Sequence, residues 1–482
     1  MGSDIDMVAR LLAFRNGRAE RIASHRQVVI KPNAAILCPI AMAGEDTTIH
    51  IVAFGRIGAP PEIRCVADPR VRDDQYTLFE WMGDKIERYF QACRTSGDYP
   101  QLWVSSTAAA SHLDTLADRF RYNRDNVRVR RFGELLSYAT ERFPVAGQQT
   151  LVTATSALRL HFATGQQDGE DEHLGALLTW IEPPIRNAIF TAVARAEEIP
   201  MGVKTDPAFD RRTLAPLVQA FNAARHSNAS ATSLDRHRTA IQQVLEPVVR
   251  EIYCGVQRAI TILMQLGLPS LPDLTALSTR ERDEYLSFMD ARDQGIPLPL
   301  HDKAKRAAFG LADREDALEN LERATLRGDR VTRARACLAG DVVVGIVSNA
   351  RRLHTGPHRY SHRFDISSTQ RKLHIRRCDD LVLLTEPRLV ALVRDVRRSG
   401  RTTLISLEVV RGMRCVGTPA NGTQVQMGKP APDWNHIFLL RKQMGSRLRN
   451  VPWTHQDNAL PASAPSAMQP PADLVQAVED LA

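Results

Sequence analysis

The chain lacks every short signature of nucleotide or hydrolytic chemistry. A P-loop needs a glycine-rich turn whose amides cradle phosphate, then a lysine followed by Ser or Thr. The nearest approach, Gly428-Lys429, runs into Pro430 and has Thr423 where the earlier glycine should stand. G-x-G-x-x-G, G-x-S-x-G and H-E-x-x-H are all missing, which removes support for dinucleotide, nucleophile-elbow and zincin readings, and no catalytic residue or cofactor is assigned. The seven cysteines, Cys38, Cys65, Cys93, Cys254, Cys337, Cys378 and Cys415, form no C-x-x-C pair and are odd in number. Neither a disulfide framework nor a zinc ribbon is readable from them, and a reducing cytoplasm fits best. Long apolar runs are missing too: residues 259–264 and 342–347 fall far short of the roughly 20 a bilayer requires, so no membrane span is expected. The opening residues 1–26, with Asp4, Asp6 and several Arg around a short amphipathic stretch, read as a first helix and not a signal peptide. Lysine is scarce as well, outnumbered by Arg 55 to 8. A GC-rich genome produces that bias without functional pressure.

Codon bias does not explain where the bases fall. Residues 351–450 hold 20 Lys or Arg, 17 of them Arg, against seven acids, a net +13 in a chain of net +8. Residues 1–350 hold 43 bases against 44 acids, and residues 451–482 hold four acids and no base. Charge confined to one module points to a polyanion or an acidic partner met at that place. The chain as a whole, 482 residues with 43% hydrophobic and 24% charged, is ordinary globular protein, long enough for two to four domains.

Short apolar runs at 28–30, 35–37, 49–54 and 63–66 predict an opening β-meander, and Leu78, Met82, Ile86, Tyr89 and Phe90 share one face of a helix over 74–93. Three strand-then-helix units follow, with strands at 101–105, 127–130 and 151–155, expected side by side and parallel. Ser105, Ser106, Thr107, Thr153, Thr155 and Ser156 then stand at the carboxyl edge of that sheet, as N-caps of the following helices or, less simply, around a ligand. Residues 170–338 read as helical, either an all-α domain or helices packed around the others. Pro247 is expected to interrupt a helix over 233–266, and Ser278-Thr279-Arg280-Glu281 reads as a capping box that starts another. After Gly340 the period becomes two, giving six or seven short strands and a small barrel. The fold class is therefore multidomain, α/β plus α plus β: an N-terminal parallel-sheet α/β domain (1–170), a helical middle (171–338), a basic β-barrel-like domain (339–450) and a flexible acidic tail (451–482).

Two groups of residues carry chemistry. In the basic module Arg351, Arg352, Arg359, Arg363, Arg371, Lys372, Arg376, Arg377, Arg397, Arg398 and Arg401 fall in loops and on polar strand faces, where guanidinium groups contact phosphate and stack on bases. Aromatic residues there are few, Tyr360, Phe364, Trp434 and Phe438, and two alternate into the expected core. His354, His358 and His362 have no carboxylate near them other than Asp365 and suit a polyanion better than a metal. Near the third βα unit, His161, Asp168, Asp171 and His173 have the right types to hold a divalent cation. Acids at 168–172 also complement the dipole of a helix starting near Leu174, and that structural role is the simpler one.

Residues 170–181 (EDEHLGALLTWI) and 452–455 (PWTH) resemble segments of a bacterial, actinobacterial-type family with no assigned activity. The resemblance spans most of the chain and implies the same order of α/β, helical and β parts, in the neighbourhood of helicase-like ATPases. Three readings remain: a cytoplasmic accessory protein whose basic β module binds nucleic acid, with the other parts docking a partner such as a helicase-like ATPase; a metal-dependent hydrolase of nucleic acid or nucleotides acting at the α/β edge; and a scaffold for an acidic protein.

Overall fold

The structure is a computed structural model and describes residues 4–430 except 185–187, 272–273, 297, 299–303, 357–358 and 414–416. Trp434, Phe438, His358, Cys415, the bases after 430, the segment 452–455 and the expected tail lie outside the described residues. The described residues divide between two compact units, 4–298 with 320–430 in one and 304–319 in the other.

The amino-terminal part of the larger unit runs α1 (Asp4–Asn16), β1 (Glu20–Arg21), β2 (Ala35–Ile40), β3 (Ile51–Arg56), β4 (Glu62–Cys65), α2 (Arg72–Thr95), β5 (Leu102–Val104), α3 (Thr107–Phe120), α4 (Val127–Arg142), β6 (Leu151–Thr153), α5 (Ala154–Arg159) and β7 (Phe162–Ala163). Five strands form one sheet in the order β4-β3-β2-β5-β6. It is mixed and not all-parallel: β2, β3 and β4 make an antiparallel meander, while β2, β5 and β6 are parallel. The run 28–30 is not a strand.

The expected strand at 127–130 is the first turn of α4. Alternation in Val-Arg-Val-Arg imitates a strand, but the Asn126 side chain accepts hydrogen bonds from the Arg128 and Val129 amides, an N-cap that fixes a helix start. Val129, Phe132, Leu135, Leu136 and Ala139 then bury one helical face. The strands at β5 and β6 are direct neighbours for that reason, and two helices cross between them.

A further series follows: α6 (Leu174–Ile181), α7 (Ile189–Glu197), α8 (Pro207–Phe209), α9 (Ala215–His226), α10 (Ala231–Gln265), α11 (Leu274–Asp293), α12 (Ala304–Gly328) and α13 (Arg330–Ala339). Strand alternation divides the sheet residues between two cores. Ala35, Leu37, Val52, Phe54, Leu102, Val104 and Leu151 pack with α2, α3, α4 and Tyr285 and Met289 of α11. Ile36, Cys38, Ile40, Ile51, Ala53, Trp103 and Val152 pack with α5, α6, α9 and the apolar stripe of α10. The sheet is thus the middle of three layers, with the later helices supplying most of one outer layer.

Pro247 sits inside an unbroken α10. α11 starts at Leu274, so Ser278 to Glu281 is not a capping box. The Glu281 carboxylate instead pairs with Arg142 and accepts a 2.7 Å hydrogen bond from Thr150 Oγ1. No helix among the described residues is long and apolar enough to cross a membrane.

Beyond Gly340 come β8 (Val343–Gly356), β9 (Arg359–Ser368), β10 (Asp380–Leu383), β11 (Glu386–Ser399), β12 (Thr402–Arg411) and β13 (Gln424–Gly428). All pairings are antiparallel, in the order β10-β11-β12-β9-β8-β13, and β13 pairs back onto β10 to close the ring. Val343, Val347, Phe364, Ile366, Leu381, Leu389, Ala391, Val393, Ile405, Leu407, Val425 and Met427 fill the inside. This is a packed core. Leu373 and Ile375 lie in a loop and not in a strand.

Candidate nucleic-acid interface

Register decides where the basic side chains stand. β9 and β12 run antiparallel, with Ser368 opposite Thr403 and His362 opposite Val409. The β8–β9 turn and the β11–β12 turn therefore lie at opposite ends, separated by roughly the 30 Å rise of a ten-residue strand. Arg351 and Arg352 of β8 lie at the first end, where Arg359 opens β9, with Arg363 one turn of the pleat below. Arg397, Arg398 and Arg401 stand at the second end, and Arg371 and Lys372 lie in the loop that leaves β9 there. Arg376 and Arg377 occupy the loop before β10, which the Cys378 amide ties to the Val393 carbonyl at 2.8 Å.

The positive charge is only partly offset. Glu408 on β12 pairs with Arg363 at 3.0 Å and Arg394 at 2.7 Å and accepts a 2.6 Å hydrogen bond from Ser361 Oγ. That hydrogen bond, then the two guanidinium groups, hold its carboxyl below the usual range. Arg397 pairs with Asp395 at 2.5 Å. Arg351, Arg352, Arg371, Lys372, Arg376, Arg377, Arg398 and Arg401 are exposed, and none has an ion pair among the described residues.

One aromatic contact was not anticipated from the sequence. An extra residue in β8 between Ser348 and Arg351, with Asn349 at φ 52°, shifts the β8–β9 register so that Arg351 faces Arg363, Arg352 faces His362 and His354 faces Tyr360. The Arg352 guanidinium lies 3.5 Å from the Tyr360 ring centroid, and the His354 ring meets it edge-on at 5.1 Å. Phe364 is buried as expected, but Tyr360 is 49% exposed and outside the core. Only the turn signal Gly356-Pro357 between the two histidine-bearing runs could have suggested this pairing.

The acidic and histidine residues near α6 are engaged elsewhere. His161 donates through Nδ1 to the Ala157 carbonyl at 2.8 Å and accepts at Nε2 from the Gln27 amide at 3.1 Å. Burial keeps its imidazole below its ordinary pKa. His173 caps α6, accepting from the Ala176 amide at 3.2 Å, and donates to the Ile199 carbonyl. Asp168 and Asp171 both pair with Arg10, and Asp171 also accepts from Thr164 Oγ1 at 2.5 Å. Burial raises the Asp171 carboxyl despite that hydrogen bond. Asp168 and Asp171 border a cleft of about 570 Å³ that also holds Arg159, Glu322 and Arg335, its cations spent on Asp168, Glu172 and Asp6. Among the described residues no three metal-ligating side chains come together.

The carboxyl edge of β5 and β6 is likewise occupied from within. Ser106 and Thr153 occupy N-cap positions but make no side-chain cap bond. The Glu172 carboxylate takes the Thr107 amide at 3.4 Å, Thr155 Oγ1 at 3.2 Å and Arg159 at 2.5 Å. A carboxylate already sits where this fold class would hold an anionic ligand.

No family model, curated protein or solved structure matches the chain.

Proposed function

We propose that the protein binds nucleic acid through the outside of the closed β module. The observation that supports this is the set of eight exposed cations with no ion pair among the described residues, against the cleft near α6, where Arg10, Arg159 and Arg335 are all matched by carboxylates. Unmatched guanidinium groups spread over both ends of a rigid surface suit a repeating phosphate backbone, which offers one charge per nucleotide. A small anion would need them converged.

Each phosphate contact releases a counterion, so affinity falls with salt by a logarithmic slope of about 0.7 to 0.9 per contact. Arg351→Glu, Arg376→Glu and Arg398→Glu together should weaken binding alike for all sequences and flatten that slope, because phosphate contacts carry no base information. Arg363 is left out because it holds Glu408. Folded wild-type protein that shows no salt-sensitive retention on DNA or RNA would defeat the reading and leave an acidic protein as the partner that the charge fits.

A further inference from the structure

The β8–β9 hairpin extends past the filled part of the ring. Phe364 and Ile366 point into the core, so by alternation Tyr360 and His362 belong to the same strand face, along with their cross-strand partners His354 and Arg352. The face that is apolar lower down becomes aromatic and cationic at its open end. Arg352 covers one side of Tyr360 and His354 its edge, yet half of the tyrosine surface stays open to solvent. On the other face Arg351 and Arg363 stand directly opposite each other across the strands. Like charges so placed repel, and of these two Glu408 pairs with Arg363 and not with Arg351.

From this juxtaposition we infer that Tyr360 is a stacking platform for an unpaired base, and hence that the partner is single-stranded nucleic acid. The inference rests on the nucleic-acid reading above. Guanidinium packing by Arg352 pre-orients the ring and adds positive charge beside the stacked base. Bases in a duplex are already stacked on each other and cannot use the ring, so Tyr360 discriminates between the two forms.

The test uses the full chain, a labelled 20-nucleotide oligothymidine and a 20-base-pair duplex, with anisotropy read across a salt series. Tyr360→Ala should weaken single-strand binding about tenfold, the effect of losing one base stack, with duplex affinity and the salt slope unchanged. Tyr360→Phe should restore the affinity, which a contact through the hydroxyl would not do. Arg398→Glu, at the other end, should lower affinity for both probes and reduce the slope. Binding of both probes that is indifferent to Tyr360→Ala, or weakened equally by it, overturns the stacking role alone. Wild-type protein that binds neither probe overturns both readings.

Discussion

Three buried imidazoles bear on the pH response of the fold. His50, just before β3, is fully buried, and burial outweighs the pull of the Ala67 backbone, Asp68 and Asp210, lowering its pKa to about 4. Burial also lowers His112, whose Nε2 faces the Thr48 carbonyl, and His161. Each is neutral in the folded state and titrates near 6.5 when unfolded. Their stability is therefore fully present above about pH 6.5 and is lost as pH falls toward the folded values, because the unfolded chain binds more protons there. The unfolding free energy should fall as pH drops below 6.5, for His50 down to about pH 4, by about 1.4 kcal/mol per pH unit for each proton taken up. His50→Gln should remove about one proton from that count. An unchanged slope would show that His50 does not carry it.

At the level of elements, α3 and α4 approach so closely at Gly133 that an added Cβ would lie 2.2 Å from the Arg121 nitrogen and 2.4 Å from the Phe120 carbonyl carbon. Helix propensity favours alanine over glycine by about 1 kcal/mol. The clash is with backbone, which cannot swing aside, and overpacking of that kind costs about 1 to 3 kcal/mol or more. Gly133→Ala should therefore destabilise despite the propensity gain, by a net shift visible in urea unfolding. A rise in stability would mean that the helices separate freely. The same pair of helices shows what the sequence could and could not reveal. The apolar faces of α2 and α3 and the period-two module after Gly340 are local patterns and were readable. α4 was misread because two valines alternating with arginine satisfy the strand pattern over four residues, while the deciding cap, Asn126, lies outside them. The Glu281 bond to Arg142 and the Arg352–Tyr360 stack join residues through tertiary packing or through a bulge, and neither leaves a spacing that can be counted.

For the molecule as a whole, the joint between the layered body and the closed module is tied by hydrogen bonds on both sides. The Asp329 carboxylate caps α13 through the Thr332 amide at 2.8 Å and accepts from the Ser24 amide at 2.6 Å, Ser24 Oγ and the His25 amide. Burial alone would raise its pKa, but these hydrogen bonds outweigh it and the group is lowered. Its contribution is thus present at neutral pH and lost on acidification through the carboxylate range. Gly340, at φ 92°, ends α13, and Gln370 Nε2 donates to the Cys337 and Val342 carbonyls at 2.7 and 2.9 Å. Asp329→Ala orphans several buried donors and should cost about 2 to 4 kcal/mol, with protease cleavage between residues 329 and 342 as the local readout. Cleavage no faster than in wild type would show the joint to be held elsewhere.

The ring of strands is shut only over part of its height. β13 covers β8 up to Ile346, and β10 covers β11 only as far as Leu392, so among the described residues the outer halves of both long hairpins each keep one margin that no strand covers. A bare row of amides invites another extended chain to zip onto it, and natural sheets deter this with charge. Arg351 and Arg352 stand on one margin, Arg397 and Arg398 on the other. These four guanidinium groups thereby discourage self-association of the protein through its own strands.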